Sequence, residues 1–231
     1  LVHLLNEYLT AMTDIVFKYD GTLDKYMGDA IMAIFGAPLD QPDHARRACQ
    51  TALDMMNELH RLQKKWQTEG KPPLNIGIGI NSGDMVVGNM GSQMRFDYTV
   101  MGDMVNLGSR LEGTNKEYGS NIIFSEFTYN AIKDSMCCRE LDSVRVKGKK
   151  LPVKIYELLG EKKDEGKWKD FIDSFERGLA LYRACKWNEA IAQFQKTLEL
   201  RPEDETSRIY IERCKNLQEN PPPLPWDGVF V

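Results

Sequence analysis

The sequence is poor in the residues that build disulfide scaffolds, metal cages and membrane spans. Its five cysteines are Cys49, Cys137, Cys138, Cys185 and Cys214. An odd number without paired ligand spacing fits neither a disulfide framework nor a zinc site. Free thiols in a reducing cytoplasm are the expectation, with Cys137–Cys138 the one pair adjacent enough for redox chemistry. The three histidines, His3, His44 and His60, lie apart and form no ligand set. Positive charge is not in excess either: 30 basic against 34 acidic residues leave a net charge of −4. That argues against a dedicated nucleic-acid binder, although one basic pocket remains compatible with it. The longest apolar runs, such as Ala30 to Ala37, are too short to cross a bilayer, and no signal peptide opens the chain. No membrane segment is therefore expected in this chain, while attachment through residues outside it stays open.

What is present is an ordinary globular composition, 42% hydrophobic and 28% charged over 231 residues. That length suits one full domain with a small appendage. Leu1, Leu4, Leu5, Tyr8, Leu9, Met12, Ile15 and Val16 recur at helical spacing, with no N-cap before Leu1. Two short strands, Thr22 to Met27 and Ala30 to Phe35, are predicted to close a hairpin around Gly28-Asp29. A long helix follows from about Asp43 to Gln67. Strands are predicted over Leu74 to Asn81, Asp84 to Val87 and Phe96 to Met101, then a helix from Asp103 to Tyr118. A buried strand from Asn121 to Phe124 precedes a brief helix. Two last strands, Arg139 to Val146 and Val153 to Leu159, flank a Gly148-Lys149-Lys150 turn. Alternating helices and strands around a mixed sheet give an α+β class, a sandwich on the ferredoxin-like plan.

Lys162 to Lys167 is charged and contains glycine, which marks it as a domain boundary. Beyond it the pattern is helical to residue 219. Gly178, Ala190, Phe194 and Pro202 fall at the offsets of a tetratricopeptide repeat of about 34 residues. Its usual tryptophan and tyrosine positions hold Ser174 and Leu181 instead. A single repeat cannot bury its own face, so this all-α appendage should dock on the first domain or continue outside the chain. The expected organisation is residues 1–161, 168–219, and a proline-rich tail, 220–231, in which Pro221 to Pro225 read as a stiff linker.

Three segments carry possible chemistry. In Lys25-Tyr26-Met27-Gly28-Asp29, strand alternation puts Lys25 and Asp29 on one face. The carboxylate could hold a divalent cation and the lysine could donate to a base or phosphate. Read alone, the segment favours a plain hairpin with a turn aspartate and a solvated lysine. In Thr99 to Arg110, Asp103 is expected to cap the following helix. Asn106 and Arg110 share one helical face, an arrangement suited to a ribose oxygen and a phosphate or to an ordinary polar surface. Val144 to Lys150 is a basic hairpin that would attract a polyphosphate, or simply a solvated turn. The glycines of Gly77-Ile78-Gly79-Ile80-Asn81-Ser82-Gly83 lie within a strand, which rules out a dinucleotide fingerprint.

Taken in order, these blocks resemble the class III nucleotide cyclases. The resemblance runs through Lys25 to Ala30, Phe35-Gly36-Ala37-Pro38, Asp43-His44-Ala45 and Ile76 to Gly83. It continues through Val87 to Ser92, Tyr98 to Arg110 and Val146-Lys147-Gly148-Lys149, covering nearly all of residues 1–160. It implies conversion of ATP to 3′,5′-cyclic AMP and pyrophosphate with two Mg2+ or Mn2+ ions, at a homodimer interface. It assigns Asp29 to metal binding and Lys25 with Thr99 to purine reading. Lysine with threonine resembles adenylate cyclases, whereas guanylate cyclases usually carry glutamate and cysteine. Asn106 then orients the ribose, Arg110 stabilises charge on the α-phosphate and Lys147 contacts the triphosphate.

One departure is clear. The family's first metal aspartate lies in a strand upstream of the opening helix, and Asp14, Asp20 and Asp24 do not fall in that motif. The expectation is that this polypeptide by itself is nearly inactive. The alternatives are a catalytically silent dimerisation or nucleotide-binding module, a guanylate cyclase, or a protein-binding repeat with the cyclase as its output.

Overall fold

The structure is a computed structural model that describes residues 2–92, 94, 96–145, 152–223 and 225–229. Helix α1 (Val2–Lys18) buries Leu4, Tyr8, Met12 and Val16 along one stripe. These spacings follow the helical period, and Leu4, Tyr8 and Met12 pack on Leu59, Leu62 and Trp66 of α2 (His44–Thr68). Between them lies the predicted hairpin of β1 (Thr22–Met27) and β2 (Ala30–Ile34). Gly28 takes the positive φ of 66° that its turn requires. Gly36 is also at positive φ, and a Cβ there would lie 3.3 Å from His44.

The main sheet has four strands in the order β3 (Ile78–Ile80), β6 (Ile122–Ser125), β8 (Val153–Glu161), β7 (Met136–Val144). β3 runs parallel to β6, and the remaining pairs are antiparallel. A second hairpin, β4 (Val86–Gly91) with β5 (Phe96–Met101), stands apart from that sheet. Helix α3 (Asp103–Tyr118) and the short α4 (Glu126–Ile132) complete the α+β domain. The strand expected from Leu74 is ordered as strand only at 78–80, and the next pairs through Gly91 rather than ending at Val87. Asp103 does not cap α3: Gly102 is the N-cap residue, at φ 143°, and Asp103 is the first helical residue. There its charge still favours the positive end of the helix dipole. The basic turn with Lys147 lies outside the described residues.

The strand glycines have a packing reason. A Cβ on Gly79 would sit 2.3 Å from the Glu112 amide nitrogen and 2.4 Å from the Gly108 carbonyl oxygen. Both are backbone atoms of α3, so the helix rests directly on β3. Asn115 holds the same contact from the helix side, donating to the Ile78 carbonyl at 3.1 Å. At the other end of α3, Asn81 donates to the Met104 carbonyl at 2.7 Å.

Three helices follow a single 3-10 turn: α5 (Glu165–Arg183), α6 (Trp187–Leu200) and α7 (Glu205–Glu219). They do dock on the α+β domain, and one core spans both. Leu107, Leu111, Ile123, Leu141 and Ile155 pack with Phe175, Leu179, Phe194, Tyr210 and Cys214. Ser174, where the repeat's tryptophan would stand, is buried and shares a 2.9 Å hydrogen bond with Thr197. The segment after Pro225 docks as well. The Trp226 ring lies 5.1 Å from Tyr182 and 5.3 Å from Trp187, and Val229 is buried.

The joint is fastened by Arg139, whose side chain is 2% exposed. It donates to Glu157 at 2.7 Å and, in bidentate fashion, to Asp204 at 3.0 and 2.6 Å. Its guanidinium also lies over the rings of Phe171 and Phe175. Burial raises the Asp204 carboxyl, but the bonds from Arg139 and Ser207 outweigh it and hold the group below its ordinary 3.8. Its contribution is therefore complete at neutral pH and fades as pH falls through that lowered value. For Glu157 burial prevails and pushes the carboxyl upward. All five cysteines are free thiols, and burial pushes Cys138 up to about 12, which leaves the adjacent pair unreactive. Among the described residues, no helix is long and apolar enough to cross a membrane.

Two outcomes follow for stability. Arg139→Ala strands two buried carboxylates and should cost about 3–5 kcal/mol in urea unfolding. A loss below about 1 kcal/mol would place the pair among weak surface bridges instead. Gly79→Ala should cost at least ~1–3 kcal/mol, because no side chain can yield to the new methyl. Gly113→Ala, mid-helix with nothing within 4 Å, should instead gain about 0.5–1 kcal/mol. Thermal melts of the two glycine variants check the contrast.

Candidate nucleotide site

Lys25 and Thr99 come from different hairpins, 74 residues apart, and meet directly. The Lys25 ammonium donates to Thr99 Oγ1 at 3.0 Å. Thr99 is 9% exposed, while the Lys25 side chain is 43% exposed, so the pair opens outward through the lysine. Across β4–β5, Thr99 stands opposite Gly88, where even a Cβ would meet nothing within 4 Å. That leaves room beside the hydroxyl for a flat ligand.

A third residue joins them, and the sequence reading missed it. Thr99 Oγ1 donates to Asp24 Oδ2 at 2.7 Å, and the Asp24 side chain is fully buried. Its Oδ1 accepts no hydrogen bond and is faced by the Lys25 ammonium at 3.4 Å. Strict alternation would send Asp24 and Lys25 to opposite faces. The register of β1 on β2 shifts between Leu23 and Lys25, however, and such a bulge turns successive side chains to one side. A bulge leaves no mark in a six-residue strand pattern. The partner is called for by Thr99, whose hydroxyl needs one once the fold buries it.

Asp29 lies elsewhere. It sits in the turn after β1, exposed, so the alternation invoked for Lys25 and Asp29 stops at Met27. It is near α1, because its charge adds to burial in pushing the Tyr8 phenol up to about 12. Among the described residues its carboxylate has no ion pair, and no three metal-ligating side chains cluster anywhere. A single free carboxylate of this kind fits Mg2+ or Mn2+ held jointly with nucleotide phosphates, not an all-protein cage. Asn106 and Arg110 are both exposed on α3, one turn apart as expected. The helix starts two residues after β5, so Thr99, Asn106 and Arg110 follow one continuous strand-to-helix path. An acceptor hydroxyl, an amide and a guanidinium along that path suit a base, a sugar and a phosphate in turn.

The family model for the adenylate and guanylate cyclase catalytic domain matches residues 1–160, and a tetratricopeptide repeat model matches 174–204. A terminal-differentiation-specific adenylate cyclase of Dictyostelium discoideum is 36% identical over 93% of this chain and 10% of its own length. The first curated relatives are far longer: this chain spans 10–32% of them. The crystal structure of the adenylyl cyclase CyaB from P. aeruginosa superposes with a TM-score of 0.65 at 40% identity, covering 71% of this chain and 84% of that one. A guanylyl cyclase crystal structure follows at 0.62 and 38%, covering 70% and 81%. Fold likeness alone thus does not choose the purine, whereas the curated relatives named as cyclases in Dictyostelium discoideum, Rhizobium meliloti and Anabaena cylindrica are adenylate cyclases. The chain belongs to the adenylate and guanylate cyclase catalytic domain family and carries a tetratricopeptide repeat behind that domain.

Proposed function

We propose that the chain is the catalytic domain of an adenylate cyclase, converting ATP to 3′,5′-cyclic AMP and pyrophosphate. The observation that carries this reading is the Lys25–Thr99 contact at 3.0 Å. A lysine donor beside a hydroxyl acceptor matches adenine, whose N1 accepts while its 6-amino group donates. Guanine presents an acceptor oxygen at position 6 and a proton on N1, opposite at both points.

The reaction joins the ribose 3′-oxygen to the α-phosphorus and breaks the bond from that phosphorus to the oxygen bridging to the β-phosphate. The 3′-hydroxyl proton is lost and pyrophosphate departs. Asn106 orients the ribose, and Arg110 meets the negative charge that develops on the α-phosphate. Lys147 contacts the triphosphate. Asp29 would hold a divalent cation, Mg2+ or Mn2+, which when bound polarises phosphate oxygens and lowers the 3′-hydroxyl's pKa. In a homodimer, Asp29 of one subunit would complete the site that the other subunit's Lys25, Thr99, Asn106 and Arg110 begin. Exposed Met27, Val86, Phe96 and Met101 on the two hairpins support such pairing. With Asp29 as its one assigned metal carboxylate, this polypeptide should turn over slowly, so binding is the more sensitive readout.

Displacement of a fluorescent nucleotide in Mg2+ or Mn2+ should show ATP preferred over GTP. Turnover in Mn2+ should yield cyclic AMP, and Arg110→Ala should lower kcat about 10²–10³-fold with little change in affinity. Equal use of ATP and GTP, or turnover indifferent to Arg110, would overturn the reading.

A further inference from the structure

We propose that Asp24 sets the purine preference by fixing which way the Thr99 hydroxyl points its proton. The inference rests on the adenylate reading above and concerns a residue outside its reacting groups.

A threonine hydroxyl has one proton and two lone pairs, so on its own it can meet either a donor or an acceptor. In this structure it has no such choice. Asp24 as a carboxylate can only accept, and it takes the Thr99 proton at 2.7 Å. Lys25 as an ammonium can only donate, and it fills one lone pair at 3.0 Å. One lone pair of Thr99 remains, and it can only accept. It therefore welcomes the adenine amino group and opposes the guanine carbonyl oxygen. Asp24 also faces Lys25 at 3.4 Å, which leaves the lysine a further N–H for N1 of the base. The Asp24 side chain is fully buried with Oδ1 lacking any hydrogen bond. A carboxylate buried against one ammonium adds little to stability alone, which fits a group kept for another purpose. Asp24 is thus a positioning residue: it acts on the base through Thr99 and touches no reacting atom.

The test is displacement of a fluorescent ATP analogue by ATP and by GTP, with Mg2+, on wild type, Asp24→Asn, Asp24→Leu and Thr99→Val. In Asp24→Asn the ammonium of Lys25 attracts the amide oxygen and turns the NH2 toward Thr99, freeing the hydroxyl proton for guanine. Asp24→Leu keeps the branch at Cγ, at some cost in added volume, and removes the acceptor. Both should reduce the ATP-over-GTP preference about tenfold, mostly by strengthening GTP. Loss of affinity for both nucleotides with the preference intact would reduce Asp24 to a structural role and overturn the proposal. Should neither Asp24 variant fold, Thr99→Val decides: a preference surviving without the hydroxyl would sink the idea equally. A wild-type protein with no ATP preference would instead fail the adenylate reading itself, so the two failures are distinguishable.

Discussion

Arg139 is the constraint on which the chain's architecture depends. A guanidinium cannot shed its charge, and at 2% exposure it cannot be left to water. Glu157, its partner on the neighbouring strand, answers only part of its five N–H donors. Three further bonds go to Asp204 and Thr206, at the start of α7. The sheet therefore carries a buried charge that is satisfied only when the helical tail is docked. Tyr118 and Asp142 extend the arrangement, with Arg213 of α7 donating to Asp142 at 2.7 Å. A repeat that cannot bury its own face and a sheet that cannot satisfy its own arginine complete one another.

The nucleotide site depends on a different kind of contact. Neither hairpin belongs to the main sheet, and each alone would be marginal. They meet through Asp24, Lys25 and Thr99, where a buried carboxylate takes the proton of one hydroxyl and an ammonium fills one of its lone pairs. Each member limits the others' donor and acceptor choices, so the three side chains have one hydrogen-bonding arrangement rather than several. Recognition of a base edge requires that uniqueness, because an adaptable hydroxyl reads both purines.

Much of this was legible in the residues, and the exceptions have physical causes. The apolar stripe of α1, the Gly28 hairpin and the span of α3 follow from period and turn chemistry, and they are found as expected. The α+β class follows from the alternation of elements. Asp24 was not legible, because a bulge is a property of strand pairing rather than of one strand's sequence. Asp29 was placed on a strand face by continuing an alternation that the turn at Gly28 ends. The role of Arg139 was hidden as well: a basic residue opening a predicted strand looks like an edge charge until the partner 65 residues away is known. Pro221 to Pro225 read as a stiff linker, and no pattern in the sequence tells that Trp226 after them finds Tyr182 and Trp187.

The two constraints meet in α3. Its N-terminal end follows the strand that carries Thr99 and is tied to β3 by Asn81. Its middle rests on the bare backbone of Gly79. Its C-terminal end is held by the tail, Thr206 donating to the Tyr118 carbonyl at 2.7 Å. Arg110 lies eight residues before Tyr118, about 12 Å along the axis at 1.5 Å per residue. An arginine on an exposed helical face has little local support for its position. Here the support comes from the helix, and the helix is fixed at three points by three different elements. The geometry available to Arg110 is therefore set jointly by the sheet, the Thr99 hairpin and the docked repeat.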